Sequence, residues 1–119
     1  MKLVFFEAPI FTRTLPDYLD DESYRALQRL LLNAPEAGDV MPGTGGFRKL
    51  RWEDPRRGKG KRGGLRIIYY YLPADRQIWF FTIFGKDEAV DLSHEEKKVL
   101  KRAIQTELAL RRKSVDRKA

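Results

Sequence analysis

The sequence predicts an α+β domain, a mainly antiparallel sheet with helices packed on one side, in the order β-α-α-β-β-β-α. Three observations lead there. Runs rich in β-branched and aromatic residues, Phe47–Trp52, Leu65–Leu72 and Gln77–Phe84, are grouped together between residues 47 and 84. Apolar residues at three- and four-residue spacing lie before and after that group. Strands that come together pair largely antiparallel, with the helices as a separate layer. The length of 119 residues, with 42% hydrophobic and 34% charged residues, suits one core. Residues 1–119 therefore read as a single domain, without internal repeats or a linker.

The elements follow in order. Lys2–Phe6 is a short apolar run of β-formers and reads as a strand. Pro9 suits the first turn of a short helix, and Pro16 should end or kink it. Asp20 or Asp21 caps a second helix whose stripe is Tyr24, Leu27, Leu30 and Leu31; Asn33 and Pro35 stop it. EAGDVMPGTGG, residues 36–46, reads as a loop. In the strand Phe47–Trp52, alternation puts Phe47, Lys49 and Arg51 on one face and Arg48, Leu50 and Trp52 on the other. A glycine-spaced basic loop, 53–64, leads to the strand Leu65–Leu72. Pro73–Arg76 is a hairpin-length turn into Gln77–Phe84, which Gly85 ends. Ser93 and Glu96 form the capping box S-x-x-E of a last helix. Its inner face, Val99, Leu100, Ala103, Ile104 and Leu108, stays apolar to about Leu108. The polar tail from Arg111, residues 111–119, is expected to fray.

Composition removes several classes of function. Cysteine is absent and His94 is the one histidine, so disulfides, thiolate nucleophiles and a zinc site are not expected, nor any other cofactor. His94 falls in a first helical turn and reads as solvated. Neither PGTGG nor GKGKRGG matches the phosphate loop G-x-x-x-x-G-K-[ST], whose serine or threonine follows the lysine. Asp20–Asp21–Glu22 and Glu95–Glu96 sit where first-turn acids favour the helix dipole. No run approaches the roughly 20 apolar residues of a membrane span, and the start lacks a leader's cleavage pattern. A cytoplasmic protein without a membrane partner is the expectation.

What stands out is charge. The formal net charge is +7. Segment 43–66 holds Arg48, Lys49, Arg51, Arg56, Arg57, Lys59, Lys61, Arg62 and Arg66 against Glu53 and Asp54, and carries all of it. Such a window suits an anionic polymer. Lys49 and Arg51 share a face, and Arg66 shares one with Ile68 and Tyr70. If the two strands are neighbours, these cations converge on one patch of sheet, with Lys59, Lys61 and Arg62 at its rim and Lys86 just after Gly85. Arg66 stands in a run of Leu, Ile and Tyr, where an unpaired charge costs several kcal/mol to bury. A cation cluster can cleave RNA without metal or histidine. The ribose 2′-OH attacks the adjacent phosphate, and an arginine fork matches the charge growing on its oxygens. A lysine crowded by cations can act as acid or base.

GTGGFRKLRW, then GKGKRGGLRIIYYY, then TIFGKDEAVDLS before a final helix resemble the RelE/HigB superfamily of toxins from type II toxin–antitoxin systems, in its HigB-like branch. The resemblance runs from the strand at Lys2 to the helix through Leu108. It implies a ribosome-dependent mRNA endoribonuclease, an mRNA interferase that inhibits translation. It also implies a cognate antitoxin that neutralises the toxin, contacts to ribosomal RNA, and operator DNA bound only through the antitoxin complex. By position, the family's catalytic cations fall on Lys49, Arg51, Arg66 and Lys86. Asp87 replaces a further arginine of many relatives, and no tyrosine lies between residues 87 and 110 to serve as acid–base group. That leaves the role to a loop lysine, Lys61 or Lys59. Arg48, Arg56, Arg57, Lys59 and Arg62 are the expected RNA-binding residues. Two other readings compete. One is a gyrase poison of the ParE kind, which shares the scaffold but not the cation cluster. The other is a non-enzymatic basic domain, such as a degenerate toxin that binds nucleic acid or antitoxin.

Overall fold

The computed structural model describes residues 2–54, 64–85 and 92–118, with 114–118 described by backbone alone. The chain forms strand β1 (Val4–Glu7), helices α1 (Pro9–Tyr18) and α2 (Asp21–Asn33), strands β2 (Asp39–Val40), β3 (Arg48–Trp52), β4 (Leu65–Leu72) and β5 (Gln77–Gly85), and helix α3 (His94–Lys118). The strands make one five-stranded sheet in the order β1-β5-β4-β3-β2. The β1–β5 pair is parallel; the other three are antiparallel. The α+β class and the mainly antiparallel sheet are as expected. Among the described residues no helix is long and apolar enough to cross a membrane.

The helices do not all lie on one side, and the reason is β4, the middle strand. Leu65, Ile67 and Tyr69 point to one face, where they join Leu50, Trp52, Ile78 and Phe80 under Phe11 of α1 and Leu27 and Leu31 of α2. Ile68 and Tyr70 point to the other, where Leu100 and Ile104 of α3 cover them together with Phe47. A strand that is apolar on both faces needs cover on both, as buried strands of layered folds do. LRIIYYYL is such a strand rather than an alternating one. Each large side chain buried this way contributes about 1.5–3 kcal/mol, so an uncovered face would be a heavy loss.

Other boundaries also shift. The two-residue strand β2 extends the sheet from what reads as loop, pairing Asp39 with Lys49 and Val40 with Arg48. Helix α1 runs past Pro16 to Tyr18, because Pro16 sits close to its end and few hydrogen bonds are forfeited there. Residue 81 is a bulge in β5: Tyr69 pairs with Phe80, but Ile68 pairs with Thr82. The backbone stays helical to Lys118, and Arg111 ties the helix to the β4–β5 turn. Its guanidinium meets Asp75 at 2.6 Å, Gln77 at 3.0 Å and Glu107 at 3.1 Å, and lies 5.0 Å from the centre of the Trp79 ring.

The local signals hold where they are short-range. Asp20 accepts a hydrogen bond from the Ser23 N–H at 2.7 Å and caps α2. Ser93 and Glu96 exchange the two hydrogen bonds of a capping box, at 2.8 and 3.1 Å. The loop after α2 is fixed from the sheet. The buried Tyr69 hydroxyl donates to Pro35 O at 2.8 Å and accepts from the Gly38 N–H at 2.9 Å. A Cβ at Gly38 would come within 2.9 Å of the Tyr69 ring and 3.1 Å of the Lys49 backbone, so only glycine fits. Burial pushes the Tyr69 phenol above its ordinary pKa, which keeps it a donor.

Tyr69→Phe removes both hydrogen bonds and leaves a buried N–H without an acceptor. We expect a loss of about 1–3 kcal/mol in urea unfolding, with the m-value unchanged. A loss below about 0.5 kcal/mol would show that the loop is not held from this hydroxyl.

Candidate nucleic-acid interface

Strands β3 and β4 are antiparallel neighbours, and their register sets Arg51 directly opposite Arg66 and Lys49 opposite Ile68. All three cations point to the face that α3 covers further along, as the period of two requires: their strand-mates Phe47, Ile68 and Tyr70 belong to the cluster around α3. On its other side Arg66 is paired with Phe84 of β5. The convergence expected of Lys49, Arg51 and Arg66 is therefore present. It lies at the end of the sheet where β3 finishes, β4 begins and β5 ends.

The three differ in exposure. Arg51 is open to solvent and Lys49 is half-buried. Arg66 is only 6% exposed, and its Nη1 donates to Leu65 O at 3.1 Å. Burial lowers the Arg66 pKa below the ordinary arginine value, and the nearby charge of Arg51 lowers it further. Like charges directly opposite each other in an antiparallel pair are destabilising, by roughly 0.2–1 kcal/mol. A pairing of this kind, set beside apolar residues, is the local rule-breaking that functional sites carry. Two arginine forks side by side offer planar donors to the oxygens of a phosphate.

Arg48 does not join them. It points to the opposite face, where its guanidinium donates to Gly38 O at 2.8 Å and Glu36 O at 3.3 Å and pairs with the Glu36 carboxylate at 3.7 Å. Its place is in holding the 36–38 turn. Lys61 and Lys86, expected in the catalytic set, and Arg56, Arg57, Lys59 and Arg62, expected to bind RNA, lie outside the described residues.

Two acidic residues near the cations did not stand out in the sequence. Asp39 faces Lys49 across the β2–β3 pair, but a strand of two residues gives no periodic signal. Asp54, just past β3, is 1% exposed; in sequence it reads as a loop charge. Among the described residues no cluster of three or more histidine or acidic side chains is placed to hold a metal ion. His94 is exposed at the start of α3. No protein-family model matches the chain.

Arg51→Gln separates the two roles of the pair. Relief of the like-charge opposition should leave the fold as stable or more stable, by up to about 1 kcal/mol in chemical denaturation. Affinity for single-stranded RNA should fall, and the slope of log K against log salt should shrink by about 0.7 for each phosphate that is no longer neutralised. A destabilised variant with parental RNA affinity would assign Arg51 to structure instead.

Proposed function

We propose that this chain is a RelE/HigB-type toxin of a type II toxin–antitoxin system: a metal-independent endoribonuclease that cuts mRNA on the translating ribosome in the cytoplasm. The observation that carries this reading is Arg66, buried in the middle strand directly opposite Arg51. The basic segment 55–63 leads into that same strand and supplies more cations along the chain. Such a cluster favours a polyanion, and its tightly held members favour one phosphate over diffuse backbone binding.

In the mechanism the ribose 2′-oxygen forms a bond to the adjacent phosphorus while the bond to the 5′-oxygen breaks. One proton leaves the 2′-OH and one is delivered to the departing 5′-oxygen. Arg66 and Arg51 bind the phosphoryl oxygens and offset the negative charge that grows there, a role worth about 10²–10³-fold in rate per well-placed donor. Lys49 holds the neighbouring phosphate. Proton transfer falls to a lysine of the cation group, Lys61 or Lys59, with Lys86 as a further catalytic cation. A cognate antitoxin restrains the activity, and operator DNA is bound only through that complex. The electrostatic part of ribosome and mRNA binding weakens as salt rises.

Induction in cells, with toeprinting of a reporter mRNA, tests this reading. We expect cuts within A-site codons and growth arrest. Arg66→Ala should abolish both while the protein remains folded, and Arg66→Lys should fail as well, because an ammonium lacks the planar fork. Undiminished toxicity of Arg66→Ala would overturn the site assignment. Gyrase trapping without mRNA cleavage would move the chain to the ParE kind of activity. Binding of uncut RNA would leave a non-enzymatic domain.

A further inference from the structure

At the edge of the sheet farthest from β2, strand β1 shows large apolar side chains to solvent. Val4 is 50% exposed and Phe6 45% exposed. Both point to the α3 side, because Phe5 points the other way and stacks on Phe80. Beside Phe6 opens a pocket of about 340 Å³, lined by Glu7, Trp79, Phe81, Leu100, Ala103 and Ile104. Helix α3 continues the apolar surface. Its other flank lies against the loop before β3, where Gly45 meets Lys101 and Ile104. Val99, Ala103 and Leu110 therefore line the flank toward β1, with Val99 59% and Leu110 56% exposed.

The backbone of β1 is open along the same edge. Val4 N donates to Arg76 O and Ala8 N to Phe80 O, both toward β5. Alternation in a parallel pair then points the N–H and C=O groups of Phe5 and Glu7 outward. Among the described residues no strand pairs with them. An apolar edge strand with outward backbone groups is a template for strand addition. Exposed cations stand around it, Lys2 and Arg76 by β1 and Arg102 and Lys113 along α3, while Asp75 and Glu107 are paired with Arg111. The Glu7 carboxylate is occupied by Thr12 and Tyr24 at 2.7 and 2.6 Å, and Glu95 pairs with Lys98 at 3.6 Å.

We propose that the groove between β1 and α3 docks an extended, acidic segment of a partner protein, which adds to the outer edge of β1 and seats an apolar side chain in the pocket. The positive rim selects acidic flanks and disfavours a second copy of this chain, which would bring like charge to like. One strand separates this edge from Arg66 and two from Arg51, so the segment adds to the sheet without pairing with either strand that carries the cations. The proposal is independent of the RNase reading.

The probe is a synthetic peptide of about ten residues in which Val and Leu alternate with Asp and Glu, titrated onto the ¹⁵N-labelled full chain. We expect saturable binding and at least about tenfold slower amide exchange at Phe5 and Glu7, the two N–H groups that strand addition would bond. The same peptide with Lys for the acids should bind about tenfold or more weakly. Val4→Lys and Phe6→Lys should each abolish binding; Val4 does not line the pocket, so its variant keeps the test valid if Phe6→Lys unfolds. Arg66→Ala should bind as the parent does, which keeps this result separate from the test of cleavage. No protection at saturating peptide overturns the proposal. Equal binding of acidic and basic peptides overturns it too. Protection that grows with protein concentration alone assigns the edge to a second copy, and filling of the pocket by a small aromatic compound without protection at Phe5 and Glu7 makes it a small-molecule site; either result overturns the proposal.

Discussion

The rest of the structure depends on β4 being buried on both faces. It lies in the middle of the sheet and presents Leu65, Ile67 and Tyr69 to one side and Ile68 and Tyr70 to the other. A single layer of helices would leave one of those sets in water. The chain meets the requirement with α1 and α2 before the strands and α3 after them. Within that strand the second residue is an arginine. A charge beside an apolar core is costly unless hydrogen bonds and geometry hold it. Arg66 is held at the start of the strand, 6% exposed, with its Nη1 on Leu65 O.

Helix α3 connects this constraint to the candidate surfaces. Leu100 and Ile104 cover Ile68 and Phe47, while Arg111 fixes the far end of the helix to Asp75, Gln77 and the Trp79 ring. The helix is thereby anchored at both ends of its path across the sheet. Its small residue, Ala103, faces the β1 side and leaves the pocket beside Phe6 unfilled. The bulge at Phe81 serves both surfaces. It puts Phe81 at the wall of the pocket and resets the register so that Phe84 faces Arg66. One extra residue in β5 thus lets a single strand contribute to an apolar cleft and to the cationic end.

What the sequence revealed was what acts over a few residues. The caps at Asp20 and at Ser93–Glu96, the strand Leu65–Leu72 and the faces of Lys49, Arg51 and Arg66 all follow from nearest-neighbour geometry. What it concealed depends on distant partners. Which side each helix covers is not legible in LRIIYYYL, because Tyr at alternate positions fits a core and a wet face equally well. Arg111 looks like the start of a loose tail, yet its partners Asp75 and Gln77 are more than 30 residues away. Arg48 looks like part of the basic window, but its hydrogen bonds go to carbonyls of the turn after α2. Composition placed it with the RNA-facing cations; the alternation that separates it from Lys49 places it behind the sheet.

A sheet covered on both faces leaves only its ends and its edges accessible, and this chain uses one of each differently. The end where β3 finishes and β4 begins gathers cations opposite one another, at a cost to stability that packing elsewhere offsets. The edge at β1 gathers apolar side chains and outward backbone groups, with basic residues set around them. The paired cations and the apolar edge thereby lie on different strands: β5 stands between β1 and Arg66, and β5 and β4 between β1 and Arg51. The separation follows from the middle strand: with both of its faces committed to the core, an anion and an apolar segment have no common ground on which to compete.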